Sequence, residues 1–175
     1  TIQGALMLKM GLADTMICGT IGRFHRHLKR VLSVTQQGSG INEVSSLSGL
    51  ILSRNTIFIC DTQVTPNPTA EAIAKMTIKA SDEVKRFGLK PKVALLSHSN
   101  FGSRDSDSSQ KMREALNLIN ALDPELMVEG EMHADAAISS KIRDKIFPHS
   151  NLKGAANLLV MPNLDAANIT GNMLK

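Results

Sequence analysis

The apolar positions of this chain recur with two periods, and the alternation between them predicts an α/β fold. Ile2, Ala5, Leu6, Leu8 and Met10 fall at helical spacing and stop at Gly11, a helix-ending glycine. Residues 13–19, ADTMICG, read as a short buried strand running into a glycine turn. Phe24, His27, Leu28, Val31 and Leu32 return to helical spacing, which puts Arg23, Arg26, Lys29 and Arg30 mainly on the other face. Residues 37–40 predict a flexible turn. Two β-rich runs follow, residues 44–52 and 56–60. The triplet Ser53-Arg54-Asn55 splits them, as in a hairpin or a pair of adjacent strands.

Beyond residue 60 the two periods alternate regularly. A loop with two prolines, residues 61–69, closes onto a helix over 70–87, with Thr69 as its N-cap and Glu71 near its positive end. Gly88 stops that helix. Pro91 then introduces residues 93–96, VALL, a run short and apolar enough to be a fully buried strand of a parallel sheet. A polar loop over 97–109 opens into an amphipathic helix beginning near Gln110. Its apolar stripe is Met112, Ala115, Leu116, Ile119 and Leu122, and it ends before Asp123-Pro124. Residues 126–128 predict a short strand, 136–146 one helix, and 155–161 a last buried strand. Strands alternating with helices of ten or more residues give a largely parallel sheet. No internal repeat is evident.

Composition narrows the picture. A chain of 175 residues with 42% hydrophobic content suits one domain, or one domain with a small lobe. With 3% aromatic residues, its core must be Leu, Ile, Val, Ala and Met, and the nine methionines read as adaptable filler. The net charge of +4 is nearly accounted for by Arg23, Arg26, Lys29 and Arg30, which argues against a nucleic-acid partner. Cys18 and Cys60 are not a CxxC pair. They read as reduced, buried thiols in a cytoplasmic protein. His25 and His27 have no cysteine at zinc-ligand spacing, so no metal is expected. No stretch is long and apolar enough to predict a membrane partner, and there is no signal peptide. Both ends read as helix in mid-course, so the chain is expected to be part of a longer one.

The chemistry gathers where strands are predicted to end. Cys18-Gly19-Thr20, Asp61-Thr62, Ser97-His98-Ser99-Asn100 and Asn163-Leu164-Asp165 all follow such ends, and residues 129–135 offer a fifth polar loop. In an open parallel sheet these loops share one edge and form a cleft. Ser97 and His98 are neighbours in extended chain and point to opposite faces, so they cannot form a hydrogen-bonded dyad there; His98 reads as a loop or core histidine. Glu129, Glu131 and Asp135 have the spacing of a metal or acid/base cluster, while an acidic helix start explains Asp135 without chemistry. Gly38-Ser39-Gly40 is no nucleotide fingerprint, because no third glycine or helix follows it.

Taken in order, ADTMICG, CDTQVTPNPTAE, VALLSHSNFGS, VEGEMHADAA and LLVMPNLDAANIT resemble the phosphate acetyltransferase/butyryltransferase family over nearly the whole chain. The resemblance implies a two-lobed, three-layer α/β/α fold with a largely parallel sheet, isocitrate/isopropylmalate dehydrogenase-like, binding coenzyme A thioesters between its lobes. GEMHAD at 130–135 and MPNLDAANI at 161–169 are similar to one branch, the phosphotransacetylase-like C-terminal domain of large bacterial NADP-dependent malic enzymes. Cys18, where the acetyltransferases carry serine, points the same way. That branch implies a non-catalytic acetyl-CoA sensor that helps the chain oligomerise, as a dimer or higher. Malate would be oxidised by separate domains holding NADP and Mg or Mn, with no cofactor in this one.

Two alternatives stay open: an active phosphate acetyltransferase moving acetyl between phosphate and CoA, and an interaction domain with a vestigial cleft. The acetyltransferases' Asn-Asp-Leu-Ser-Arg-Gly motif would lie beyond Lys175, so no catalytic residue is carried over. The matching positions give the ligand-cleft candidates Gly19, Thr20, Asp61, Thr62, Ser97, Ser99, Gly102, Asp135, Asn163, Asp165 and Asn168. Arg23, Arg26, Lys29 and Arg30 form either a solvated or subunit-contact face or a site for CoA phosphates.

Overall fold

The structure is a computed structural model describing residues 1–35, 44–53 and 55–175. The predicted turn at 37–40, the Gly38-Ser39-Gly40 triplet and Arg54 lie outside the described residues. The chain divides into two compact units, Thr1–Glu43 and Val44–Lys175.

The first unit is built on two helices, α1 (Ile2–Lys9) and α2 (Phe24–Thr35). Ala5 and Val34 are their buried positions. Polar ties join the helices. Lys9 Nζ donates to the Val34 carbonyl at 2.9 Å, and the His27 ring lies between Thr1 Oγ1 at 3.0 Å and the Ile21 carbonyl at 2.7 Å. Arg23, Arg26, Lys29 and Arg30 are all exposed, as the helical spacing requires. The strand expected over 13–19 does not form. Those residues have no ladder partner, Ile17 is 97% exposed, and Cys18 is exposed rather than buried. An apolar run becomes a strand only where another strand satisfies its N–H and C=O groups, and the one sheet among the described residues lies in the other unit.

That unit holds β1 (Leu47–Ile51), β2 (Thr56–Cys60), α3 (Ala70–Arg86), β3 (Val93–Leu96), α4 (Asp107–Leu122), β4 (Val128–Met132), α5 (Ala134–Ile138), α6 (Ser140–Ile146), β5 (Leu158–Val160) and α7 (Leu164–Met173). The sheet order is β1-β2-β5-β3-β4. β1 and β2 form an antiparallel hairpin, one of the two arrangements expected, and the other pairings are parallel. Alternation along β3 explains the layers. Val93 and Leu95 join a core with α3 and α4, while Ala94 and Leu96 join a second core with α5 and α7. Every β3 side chain is therefore buried, and a fully buried Leu contributes about 2 kcal/mol. The result is the expected three-layer α/β/α arrangement around a largely parallel sheet.

Local signals set most boundaries. Thr69 caps α3 by accepting from the Ala72 N–H at 3.2 Å, and Glu71 sits in the first turn. Three expectations need correction. Helix α4 starts at Asp107, three residues before Gln110, because Ser106 and Ser109 cap each other's backbone N–H in a serine version of the capping box. The strand expected over 126–128 lies at Val128–Met132, with Glu129 and Glu131 buried inside it. The helix expected over 136–146 is two helices. Ser139 takes an extended conformation, ends α5 and caps α6 through its own hydroxyl.

Candidate ligand groove at the strand ends

Because β2, β5, β3 and β4 run parallel with Cys60, Val160, Leu95 and Gly130 in register, their carboxyl ends reach one edge of the sheet together. Each then turns into a helix, so the starts of α3, α7, α4 and α5 gather there. Between them lies a groove of about 350 Å³. Leu96, Met161, Pro162, Ala134 and Ala166 supply its apolar surface, and Ser97, His98, Ser108, Asn163 and Thr170 its polar groups. None of these carries a fixed charge. The positive helix ends of α4 and α7 therefore supply the local field, since Ser108 lies in the first turn of α4 and Asn163 caps α7.

The predicted residues divide by what their polar atoms already do. Asn163 lines the groove and caps α7, its side-chain oxygen accepting from the Ala166 N–H at 2.9 Å. Ser97 also lines it, its hydroxyl accepting from the Ser99 N–H at 3.2 Å. Asp61 is 3% exposed and saturated. It accepts from the Ser46 N–H and hydroxyl and from the N–H groups of Gln63, Val64 and Thr65. Burial alone would raise its pKa, but these hydrogen bonds outweigh burial and hold it below the usual carboxylate value. Thr62 lies beside it, 2.6 Å from the Ser48 hydroxyl, and its carbonyl accepts from Asn168 Nδ2 at 3.1 Å.

Ser99 is fully buried, and its hydroxyl donates to Glu131 Oε1 at 2.6 Å; the Gly102 N–H donates to the same oxygen at 3.0 Å. Asp135 and Asp165 are exposed in the first turns of α5 and α7. Gly19 and Thr20 belong to the first unit, are exposed, and follow no strand.

The carboxylate cluster suggested by the spacing of Glu129, Glu131 and Asp135 is not assembled. Glu129 accepts from the Asn151 N–H, Glu131 faces Ser99 and Arg113, and Asp135 accepts from the Ala136 N–H, so the three carboxylates form no cluster. Among the described residues, no three His, Cys, Asp or Glu side chains gather as metal ligands. His98 is an exposed loop histidine whose Nε2 lies 3.3 Å from the Ser106 hydroxyl, not against Ser97. The Cys60 thiol is pushed up to about 12 by burial and then by the Asp61 carboxylate, which keeps it protonated and unreactive.

Four further polar residues are tied into the fold around the strand ends. Lys111 Nζ donates to Asn67 Oδ1 and to the Pro162 carbonyl, both at 2.8 Å, tying α4 to two of the strand-end loops; burial lowers its pKa. Arg113 Nη1 reaches Glu131 at 3.2 Å, and its Nη2 pairs with Asp105. His133 donates its backbone N–H to Asn100 Oδ1 at 2.7 Å. Arg143 is fully buried and donates to the carbonyls of Ala136, Leu152 and Gly154. Lys111, Arg113 and Arg143 sit in stretches that read as ordinary solvated helix, with nothing in their spacing to mark them, whereas His133 lies within the GEMHAD stretch that carries the family resemblance.

Comparison with known proteins agrees with this architecture. The family model described as phosphate acetyl/butaryl transferase matches residues 1–175. The chain belongs to that family. Within it, the chain is 53% identical over its whole length to an NAD-dependent malic enzyme of Rhizobium meliloti and 49% identical to an NADP-dependent malic enzyme of Escherichia coli. It spans 23% of the length of each of these relatives. The EutD phosphotransacetylase from Staphylococcus aureus superposes on 98% of the chain with a TM-score of 0.88 at 28% identity, and the chain covers 53% of that structure. Family membership therefore rests on both sequence and fold, and the nearer relatives among these three are the malic enzymes. No helix among the described residues is long and apolar enough to cross a membrane.

Proposed function

We propose that this chain is the phosphotransacetylase-like part of a bacterial malic enzyme. In this reading the strand-end groove binds acetyl-CoA, and that binding regulates malate oxidation and decarboxylation carried out elsewhere in the longer protein with NADP or NAD and a divalent metal. The observation that carries the reading is the gap between 53% and 49% identity to malic enzymes and 28% to a phosphotransacetylase of the same fold. The groove's chemistry supports it. An apolar floor with hydroxyl and amide groups at two helix starts suits an acyl thioester. The strand-end carboxylates Asp61 and Glu131 are taken up by hydrogen bonds within the fold, which supports a binding role over proton transfer.

Regulation of this kind requires acetyl-CoA to bind two states of the whole enzyme with different affinity. A coupling of about 1–3 kcal/mol corresponds to roughly 5- to 150-fold. Oligomerisation through this chain and a cytoplasmic location belong to the same proposal. The exposed Arg23, Arg26, Lys29 and Arg30 face is either a solvated surface or its candidate for a subunit contact.

The test uses the full-length protein. Malate-dependent formation of NADPH or NADH is assayed with and without acetyl-CoA, alongside acetyl transfer from acetyl phosphate to CoA. Malate activity that responds to acetyl-CoA, without acetyl transfer, is the expected result. Acetyl transfer without malate oxidation would instead establish an active phosphate acetyltransferase, the reading that the fold of the EutD phosphotransacetylase favours.

A further inference from the structure

Three departures from regular backbone meet around one side chain. The β3–β4 ladder pairs Leu95 with Gly130 and then Leu96 with Met132, so Glu131 is an extra residue with no partner. Gly130 makes room for this bulge: at its φ of +155° a Cβ would lie 2.7 Å from the Leu95 carbonyl oxygen. Phe101, opposite, holds a left-handed conformation at φ +47°, which side chains with a Cβ rarely adopt. Bulges re-aim side chains, and strained residues persist where their surroundings over-determine them.

What the bulge aims is a carboxylate only 1% exposed. Glu131 Oε1 accepts from the Ser99 hydroxyl, the Gly102 N–H and Arg113 Nη1, and its backbone carbonyl accepts from the Phe101 N–H at 2.8 Å. All but the arginine belong to the loop over 97–106. An aliphatic side chain would fill the same space without the cost of desolvating a charge, so packing does not explain a glutamate here. The same loop presents Ser97 and His98 to the groove and ends in Ser106, the cap of α4.

We propose that Glu131 is a positioning residue: the bulge turns its buried carboxylate, held by Arg113, onto the 97–106 loop and thereby sets the Ser97–His98 wall of the groove. Ligand affinity is then governed by a residue that does not line the site. The inference rests on the acetyl-CoA reading for its choice of probe.

The experiment compares full-length wild type, Glu131→Ala, Glu131→Gln and a core control, Ile119→Ala. Amide exchange of peptides spanning 97–106, the dissociation constant for acetyl-CoA, and Tm are measured for each. Glu131→Ala is expected to speed exchange in 97–106 at least tenfold, with β2 and β5 peptides unchanged, and to weaken acetyl-CoA binding at least tenfold. Glu131→Gln, which keeps an accepting oxygen, should fall between, and Ile119→Ala should lose Tm while keeping both loop protection and affinity. Unchanged exchange in Glu131→Ala overturns the proposal. So does a loosened loop with unchanged affinity, or an equal loss of affinity in the control.

If wild type binds no acetyl-CoA, the ligand reading fails on its own. The positioning claim is then decided by the exchange data with the NMR signal of the His98 ring, which must move in Glu131→Ala. Should that variant not fold, Arg113→Met releases the carboxylate from its more exposed side and is read in the same way.

Discussion

The ends of β2 and β4 solve one problem in two ways. Each must turn a buried strand into a loop beside the groove, and each uses a buried carboxylate. At β2, Asp61 collects three donors from the next four residues and two from Ser46 across the hairpin. Its work is done within its own turn and the adjoining strand. At β4, Glu131 collects donors from a loop about thirty residues earlier and from Arg113 on a helix. Asp61 thus fixes a local shape that any Asx-type turn would show, whereas Glu131 fixes the mutual placement of two distant segments. The first kind of carboxylate holds the fold. The second is where a change in the fold is transmitted to the groove.

The largest effect is expected at Gly130. Gly130→Ala places a methyl against the Leu95 backbone at a φ that alanine rarely adopts, and should cost about 4 kcal/mol or more in denaturant unfolding. A loss near 1 kcal/mol would mean that the bulge relaxes easily.

Next comes the β2 end. Asp61→Asn leaves part of the donor set without a charged acceptor and should cost about 2–3 kcal/mol at neutral pH. Because the folded Asp61 pKa lies below its ordinary value, its stabilisation is complete above about pH 4 and is lost as pH falls through the folded value. Wild type should therefore lose stability more steeply than Asp61→Asn in acid melts below that pH. Parallel curves would remove Asp61 from the account.

A smaller effect is expected for Ser46→Ala. It deletes a donor to Asp61 and the acceptor of the Thr62 N–H, and should cost about 1–2 kcal/mol with no change in groove affinity. The smallest should be Phe147→Leu, which removes the stack on Phe101, with ring centroids 4.4 Å apart, and should cost about 1 kcal/mol by thermal melt. If it also loosens the 97–106 loop as much as Glu131→Ala, ring stacking rather than the carboxylate positions that loop.

Legibility followed the range of the interactions. The hairpin, the capped start of α3 and the buried β3 were readable because each is written in neighbouring residues: an apolar run, a threonine at a helix start, a glycine at its end. The end of β4 was not readable. Burial of Glu129 and Glu131 runs against the usual pattern of a buried strand, and the N–H groups of Gly130, Asn151 and Gly102, the Ser99 hydroxyl and Arg113 make it tolerable. The start of α4 was missed for a milder reason, since Ser109 stands in for the usual glutamate or glutamine of a capping box. Of the groove, the polar strand-end loops were legible, while the split between residues that face it and residues consumed beneath it was not.

By itself, then, the sequence determined the alternation of elements, the apolar core and the family, because hydrophobic period, caps and motif wording are local and survive without coordinates. Tertiary structure alone decided that residues 13–19 form no strand, that Cys18 is exposed, and that Ser97 and Asn163 line the groove while Asp61, Ser99 and Gly102 lie within hydrogen-bonded turns. The physical reason is the same in each case. A polar or extended residue acquires its role from the partner that satisfies its hydrogen bonds, and that partner is named only when the chain has folded.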